Sequence, residues 1–425
     1  MGRRVRRSRC RGPPRCPAAR RRGRRARGPR RARGRRRGQR RARGRDRRAA
    51  RVGRARRRRP CRTRRRASGA TRRRDRARRG RLENPGRRWE TGQVSTTVPQ
   101  ATLAAIVARF APGGTAIPLA PDASTRTFLR LEAEGRRRGV AVLDPDGGAA
   151  ARRRMRAAAE LLHGIDVRVP QLLDEDDELG VLVFEDLGDR LLADALETMD
   201  AQERLAAYRA AGRIAARIAR LGTRRVAGAH ALARPVLDRE RLRTELAQFA
   251  VQDVAGRRGL ADAGLMRELG AVLDWIADRA AALPRELAHR DFHARNLLVL
   301  SDGTLGVLDF QDCLAAPRFY DLASLVRDPY VEPAEPLERA ATDGWKDEGG
   351  VPTHGEDPAF AIVALQRDLK AIGTYAYQQR VMRRAAFAQA IPRAERLAMR
   401  AVAALSAGDR AALEDVFVRI GFPRL

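Results

Sequence analysis

The stretch that decides the fold is His289-Arg290-Asp291-Phe292-His293-Ala294-Arg295-Asn296, followed by an apolar segment, an Asp-Gly turn and Val307-Leu308-Asp309-Phe310-Gln311-Asp312. The turn joins two short apolar strands, and a carboxylate ends the second strand. Such a hairpin holds Asp291, Asn296 and Asp309 around one small volume. Phosphoryl transfer from a nucleotide needs a carboxylate for the acceptor hydroxyl and oxygen ligands for Mg²⁺. The spacing His-x-Asp-x-x-x-x-Asn, followed by Asp at a strand end, therefore predicts a kinase-like phosphotransferase.

The charge of the chain is concentrated at one end. The net charge is +38, but residues 1–90 contain 44 basic and four acidic residues and carry +40, whereas residues 91–425 carry −2. A basic stretch of this kind indicates nucleic-acid binding through phosphate contacts. The remainder of the chain has no such excess, so its function has to be sought in its motifs.

Residues 1–93 are rich in Arg, Gly, Ala and Pro and nearly free of large apolar residues. Such a segment buries too little apolar surface to offset the entropy of ordering, so we expect a disordered Arg-rich tail. Two interpretations stay open. One is a tail that binds nucleic acid. The other is a misassigned start of translation near Val94, because the tail lacks Lys altogether and uses residues that G/C-only codons encode.

The cysteine distribution suits a reducing compartment. Three of the four cysteines lie in the tail and only Cys313 lies beyond it, so the body cannot form an internal disulfide. Every apolar run is interrupted by Arg or an acidic residue before about 18 residues, the length that a spanning helix needs. The expected location is cytoplasmic.

Residues 99–188 predict a small lobe of strands with one helix packed against them, followed by the hinge Glu185-Asp186-Leu187-Gly188, whose backbone offers hydrogen bonds to an adenine. The predicted elements are helix Ala101–Phe110, strands Thr115–Ala120, Thr125–Leu131 and Gly139–Leu143 (after a turn at Gly135–Arg138), helix Ala149–Leu162, and strands Val167–Leu173 and Gly180–Phe184 around an acidic turn at Asp174–Glu178.

Residues 189–425 predict a larger, mostly helical lobe into which the catalytic hairpin is inserted. The predicted helices are Ala201–Leu221, Asp238–Val254, Met266–Leu283, Tyr320–Val326, Pro358–Met382, Pro392–Ala404 and Ala411–Ile420, with a loop over Asp328–Asp357. The fold class is therefore α+β: a bilobal, protein-kinase-like fold preceded by the tail.

The motif His289–Asn296, with Val307–Asp312 and Pro317–Leu325, resembles the aminoglycoside phosphotransferase-like kinase superfamily. Through Leu237–Phe249 and Leu365–Tyr375 the chain is most similar to the anomeric kinases for N-acetylmuramate and N-acetylglucosamine of cell-wall recycling. The resemblance spans residues 99–420 approximately. It implies ATP and Mg²⁺ as cofactors and the anomeric hydroxyl of an amino sugar as acceptor. Aminoglycoside phosphorylation is the alternative, and those pockets gather carboxylates to meet polycationic drugs.

The signature assigns roles within the hairpin. Asp291 is the catalytic carboxylate, and Asn296 and Asp309 are the Mg²⁺ ligands. His289 is expected to brace the loop against the metal-binding strand. Asp321 resembles the family's buried Asp that anchors the catalytic loop, although an ordinary helix N-terminal acid is the alternative.

The small lobe lacks the lysine that protein kinases carry on their third strand, because Val140–Leu143 occupies that position and the chain's only lysines are Lys346 and Lys370. The sugar-kinase branch is similar in this respect. Nucleotide contacts are assigned instead to Ser124, Thr125 and Arg126 of a turn, which is equally readable as an ordinary hairpin turn, and to Glu185 and Leu187 of the hinge.

Three residues are candidates for contact with the acceptor: Arg295, Asp312 and Lys370. Lys370 lies with Arg367 and Tyr375 on a helix that borders the sugar pocket in the family, and a solvated helical face is the alternative. The family's Trp after Leu237–Phe249 is absent, since Ala250–Asp253 stands there, which leaves the exact acceptor open. The expected partner is thus a small sugar or amino sugar, with no membrane.

Overall fold

The computed structural model describes residues 98–119, 126–144, 148–226, 232, 236–328, 330–331 and 334–424. Residues 1–93, for which the sequence predicts a disordered tail, lie outside the described residues, and so do Ser124 and Thr125 of the predicted nucleotide-binding turn. Within the described part, the predicted bilobal α+β fold is confirmed.

The small lobe is an antiparallel five-stranded sheet with the strand order β1-β2-β3-β5-β4 and two helices. Its elements are α1 (Gln100–Phe110), β1 (Thr115–Leu119), β2 (Thr127–Ala133), β3 (Arg136–Leu143), α2 (Gly148–His163), β4 (Leu172–Asp176) and β5 (Val181–Phe184).

Alternation along the strands divides the side chains of this sheet between two cores. Leu129, Ala141 and Val183 pack with Ile106 of α1 on one face. On the other face, Val142, Leu182 and Phe184 join the main core together with Met155 of α2. The second face points towards the large lobe, so the strand residues on this face are the ones that can line a cleft between the lobes.

Two predictions about the small lobe are wrong. Strand β3 begins at Arg136, because the turn is confined to Glu134 and Gly135, both with positive φ. Strand β4 is Leu172–Asp176 and not Val167–Leu173, so the predicted acidic turn is largely strand. The register with β5 favours this placement, and arginines neutralise the exposed acids, with Arg109 lying 3.1 Å from Asp174.

The large lobe consists of helices around the catalytic hairpin. The helices are α3 (Leu192–Thr198), α4 (Ala201–Arg217), α5 (Arg239–Gln248), α6 (Ala263–Ala281), α7 (Tyr320–Val326), α8 (Glu335–Asp347), α9 (Pro358–Arg380), α10 (Ile391–Ala403) and α11 (Ala407–Arg419). Helices α4 and α5 continue into π-helical segments, Ile218–Gly222 and Phe249–Arg257.

The predicted hairpin is present as β7 (Leu297–Val299) and β8 (Leu305–Val307), paired antiparallel. Gly303 in the turn has φ +80°, a conformation that glycine adopts without strain. Two strands that sequence reasoning missed, β6 (Arg285–Ala288) and β9 (Leu314–Pro317), pair with each other before and after the hairpin. The catalytic loop is therefore enclosed by a second strand pair.

The described residues contain one cysteine, Cys313, which is buried and unpaired. None of the described helices is both long enough and apolar enough to cross a membrane.

Helix α8 lies where the sequence predicts a loop, so that prediction is wrong. The helix packs closely against α4 through glycines: a Cβ on Gly344 would lie 1.9 Å from the carbonyl oxygen of Arg209, and a Cβ on Gly212 would lie 2.0 Å from that of Ala341. Trp345 is buried beside this contact. Gly344 is the small residue that α8 contributes to the helix–helix contact, and the acidic residues Glu335, Asp343 and Asp347 lie on the exposed side of the helix.

The substitution Gly344→Ala should destabilise the fold by about 1–3 kcal/mol, because the new methyl group forces α4 and α8 apart. Urea unfolding monitored by circular dichroism measures the change. Gly408→Ala in α11 is the matched control: its Cβ would meet no atom within 4 Å, so its free energy of unfolding should stay equal or rise slightly. Equal stabilities of the two variants would contradict the close packing.

Candidate active site

A cleft of about 860 Å³ lies between the small-lobe sheet and the catalytic hairpin. Its volume is in the range that nucleotide and substrate pockets occupy. It brings together the sequence-predicted residues Arg126, Glu185, Leu187, Asp291, Arg295, Asn296, Asp309, Asp312 and Lys370. His289 and Asp321 do not line the cleft and are buried behind it.

The buried carboxylate of Asp321 holds the backbone of the catalytic loop. The N–H of His289 donates to its Oδ2 (2.6 Å) and the N–H of Arg290 donates to its Oδ1 (2.9 Å). Arg290 has φ +87°, an unusual conformation for a residue with a side chain, and the bond to Asp321 stabilises it. Burial raises the pKa of Asp321, although His289 and the two N–H groups act in the opposite direction.

His289 connects this loop to the strand that precedes Asp309. Its ring is buried, and its Nε2–H donates to the carbonyl oxygen of Leu308 at 2.7 Å. The ring also meets Phe292 edge-to-face. The side chain thus fixes the distance between the loop that carries Asp291 and the strand end that carries Asp309.

Asp291 is flanked by two cations from α9. Its Oδ1 lies 3.6 Å from Nη1 of Arg367 and 3.5 Å from Nζ of Lys370, and 37% of its side chain is exposed to the cleft. Burial raises the pKa of this carboxyl, but Lys370, Arg367 and Arg290 outweigh that effect and hold it well below its usual range. Asp291 is therefore ionised at neutral pH.

Asn296 and Asp309 offer two oxygen atoms that fit Mg²⁺. The Nδ2–H of Asn296 donates to the carbonyl oxygen of Asp291 at 2.8 Å, which orients the amide and leaves its Oδ1 as an acceptor. Gln311 donates to Oδ1 of Asp309, which leaves Oδ2. No group of three or more His, Cys, Asp or Glu placed for a metal occurs among the described residues. Two protein ligands are typical of Mg²⁺, which completes its shell with phosphate and water.

Both the side chain and the backbone N–H of Glu185 in the hinge are hydrogen-bonded to other protein groups. Its carboxylate accepts from Arg168 (2.5 and 2.7 Å), and its N–H donates to the carbonyl oxygen of Gln171 at 2.8 Å. Leu187 lines the cleft, and its N–H has no hydrogen-bond partner among the described residues. Of the two predicted hinge contacts, Leu187 therefore has the available donor.

The small lobe contributes two arginines to the cleft. Arg126 lies 3.0 Å from Asp144 and 3.7 Å from Asp312, so Asp312 faces the small lobe. Arg130 was missed by sequence reasoning, and it pairs with Asp186 at 2.7 Å and also with Asp189. Phe128 and Arg130 are two residues apart on β2, so their side chains lie on the same face of the sheet, and this alternation in the sequence predicts that Arg130 also lines the cleft. As the sequence indicates, β3 presents Val140 and Val142 and no lysine.

The far end of the cleft contains polar residues that no motif indicated. Arg327 and Asp368 are both buried there. Burial raises the pKa of Asp368 to about 7, and Arg327 is the charge that most lowers it. Tyr330 and Tyr375 form an aromatic wall with ring centroids 6.3 Å apart, and the guanidinium of Arg295 lies 4.2 Å from the Tyr330 ring centroid.

A model of the phosphotransferase enzyme family matches residues 115–352. The N-acetylmuramate/N-acetylglucosamine kinase of Pseudomonas aeruginosa is 33% identical over 268 residues, which cover 61% of this chain and 75% of that relative. The protein of the same name from Pseudomonas putida is 31% identical over 274 residues, covering 62% and 77%.

Among solved structures, the ADP-bound aminoglycoside phosphotransferase APH(2'')-Ib superposes with a TM-score of 0.51. The match covers 72% of this chain and 100% of that chain at 12% sequence identity. A similarity at this level of identity shows the shared fold.

Asp321→Asn should lower the free energy of unfolding by about 2–3 kcal/mol, because the amide replaces one acceptor with a donor that faces a backbone N–H. Chemical denaturation measures the loss. The exposed Asp343 in α8 provides a matched control, since Asp343→Asn changes the same atoms without a buried partner. A loss below about 0.5 kcal/mol for Asp321→Asn would contradict the anchoring role.

Asp368 should make stability depend on pH. The unfolded chain releases this proton near pH 3.9, whereas the folded protein keeps it up to about pH 7. Between these values the free energy of unfolding falls as pH rises, by up to about 1.4 kcal/mol per pH unit from this group. Asp368→Asn should therefore lose less stability between pH 5 and 7.5 than the unaltered protein or Asp343→Asn does. Equal slopes in urea unfolding would contradict the burial effect.

Proposed function

The chain belongs to the phosphotransferase enzyme family and is a small-molecule kinase, and we propose that it phosphorylates the anomeric hydroxyl of N-acetylmuramate or N-acetylglucosamine with ATP and Mg²⁺. The names of the relatives from both Pseudomonas species support this acceptor class. ATP and Mg²⁺ are typical of the kinase chemistry that the catalytic signature serves. We place the reaction in the cytoplasm, where this nucleotide is available.

The observation that carries the choice of acceptor is the charge beside Asp291. Arg367 and Lys370 approach the carboxylate from α9, and Arg327 lines the same cleft. A polycationic drug needs carboxylates at this position, and cations there repel it. A neutral or anionic sugar meets no such repulsion, so this charge distribution favours amino sugars over aminoglycosides.

Asp291 acts on the acceptor in this proposal. Its ionised carboxylate accepts a hydrogen bond from the attacking hydroxyl and orients it towards the nucleotide. Because its pKa is held low, Asp291 is a weak base, and it takes the proton late, as the new oxygen–phosphorus bond forms. An anomeric hydroxyl is more acidic than an ordinary alcohol and therefore suits such a base.

Asn296 and Asp309 would hold Mg²⁺ through Oδ1 and Oδ2, respectively. When bound, the ion offsets negative charge on the nucleotide phosphates. The protein contributes the orientation of these ligands: Asn296 is fixed by the carbonyl of Asp291, and Asp309 by Gln311 and by its left-handed backbone at φ 58°.

The two ends of the cleft differ in chemistry, and this difference supports the assignment of nucleotide and sugar. Phe128, Val140 and Phe184 make the end near the hinge apolar, and the N–H of Leu187 offers a hydrogen bond to a base there. Tyr330, half-buried at the other end, offers an aromatic surface for the apolar face of a sugar ring, and the buried Tyr375 packs against the Tyr330 ring.

The proposal is tested by nucleotide consumption with N-acetylmuramate, N-acetylglucosamine and kanamycin, and by ³¹P NMR of the product. We expect turnover of the amino sugars and an anomeric phosphate. Asp291→Asn should lower kcat by about 10²–10⁴-fold, because the attacking hydroxyl loses its base. Asp343→Asn should leave kcat unchanged. Turnover of kanamycin without the sugars, or full activity of a folded Asp291→Asn protein, would refute the proposal.

A further inference from the structure

Two cations of α9 lie where a phosphoryl group would pass. Arg367 and Lys370 are one helical turn apart and therefore share a face of the helix. Both approach the same oxygen of Asp291, at 3.6 and 3.5 Å. An acceptor hydroxyl bonded to that carboxylate would lie within about 2.6–3.2 Å of it. The attacking oxygen and the phosphorus that it approaches would therefore lie beside these two cations.

The small lobe does not supply an uncompensated cation to this volume. Its third strand presents Val140 and Val142 to the cleft. Arg126 already pairs with Asp144 and Asp312, and Arg130 already pairs with two carboxylates of the hinge region. Within the described cleft walls, charge for the nucleotide's terminal phosphate therefore has to come from the large lobe.

The cations beside Asp291 outnumber the carboxylates that they contact. Glu245 of α5 accepts from Arg290 at 2.7 Å and from Gln366 at 3.0 Å, and it lies 3.8 Å from Lys370. Among the described residues, the carboxylates that Arg290, Arg367 and Lys370 contact are those of Asp291 and Glu245, so three cations there meet two anions.

The ammonium of Lys370 is held near two carboxylates but makes no short hydrogen bond to either of them. Its distances to Asp291 and Glu245, 3.5 and 3.8 Å, exceed those of a good hydrogen bond, so its N–H donors are available to a ligand. The ligand that this arrangement favours is an anionic oxygen group.

We propose that Lys370, assisted by Arg367, contacts the phosphoryl group during its transfer and takes the place of the missing small-lobe lysine. This assignment rests on the proposed role of Asp291. In the step, the acceptor oxygen forms a bond to the γ-phosphorus of ATP, and the bond between that phosphorus and the oxygen bridging the β- and γ-phosphates breaks. The hydroxyl proton goes to Asp291, and ADP leaves. Negative charge on the equatorial oxygens is stabilised by Lys370 throughout.

The other source of an anionic group is the acceptor itself, since N-acetylmuramate carries a carboxylate and N-acetylglucosamine does not. We favour the phosphoryl group because both cations lie beside the Asp291 oxygen to which the acceptor hydroxyl would donate its hydrogen bond. A substrate carboxylate bound between these cations would take the place of that hydroxyl. The two sources predict different behaviour of a Lys370 variant.

The first experiment needs no sugar. The affinity for MgADP is compared with the affinity for MgADP plus fluoroaluminate, which mimics a phosphoryl group in transfer. In Lys370→Met, the gain in affinity from fluoroaluminate should fall by about 100-fold with the MgADP affinity unchanged. Lys370→Arg should restore part of it. Lys346→Met, at the exposed lysine of α8, is the control. An undiminished gain in Lys370→Met would overturn the assignment.

The second experiment uses both sugars. Lys370→Met should lower kcat for N-acetylglucosamine and N-acetylmuramate alike, with KM nearly unchanged and the melting temperature retained. A rise in KM confined to N-acetylmuramate would mean that Lys370 binds the acceptor's carboxylate, and the assignment would be wrong. If neither sugar is turned over, the proposed acceptor fails, whereas the fluoroaluminate result still decides the role of Lys370.

Discussion

The site depends on one buried carboxylate. Asp321 lies on the short helix α7 and accepts hydrogen bonds from two consecutive N–H groups of the catalytic loop, those of His289 and Arg290. A carboxylate enclosed in this way is costly to bury and is kept there by the donors around it. It stabilises the positive φ of Arg290, and the next residue, Asp291, is thereby directed into the cleft. Through His289 and the carbonyl of Leu308, the same constraint reaches the strand end that carries Asp309.

A second buried acid extends this framework to the far end of the cleft. Asp328 accepts from the N–H of Ala294 at 2.7 Å and from the N–H of Tyr330 at 2.8 Å. It therefore joins the catalytic loop to the segment that supplies the aromatic wall. Two short backbone segments without regular structure are thus held by side chains from one region of the large lobe. Such pre-organisation keeps reacting groups in position at the moment of transfer.

The sequence predicts the hairpin well because its determinants are local: the turn residues, the apolar strands and the motif spacing lie within about two dozen residues. Other features depend on distant contacts. The sequence of α8 predicts a loop because the role of Gly344, close packing against α4, depends on a helix far away in sequence. Strands β6 and β9 are separated in sequence by the catalytic loop and the hairpin, so no local turn signal marks their pairing. Arg327 and Asp368 become buried only when the end of α7 packs near α9, and their spacing in the sequence does not predict this contact.

The distribution of charge gives the lobes different tasks in the proposed mechanism. The arginines of the small-lobe sheet are held by carboxylates of the hinge region and of residues near the cleft, so they stabilise the lobe and its contact with the hairpin. Asp291, the two proposed Mg²⁺ ligands and both cations of α9 belong to the large lobe, where buried groups fix their mutual distances. In the proposed mechanism, the groups that act on the transferring phosphoryl group are therefore held in position within a single lobe. A kinase with its lysine on the small lobe has to close before its charges are complete, whereas this arrangement has them assembled in advance.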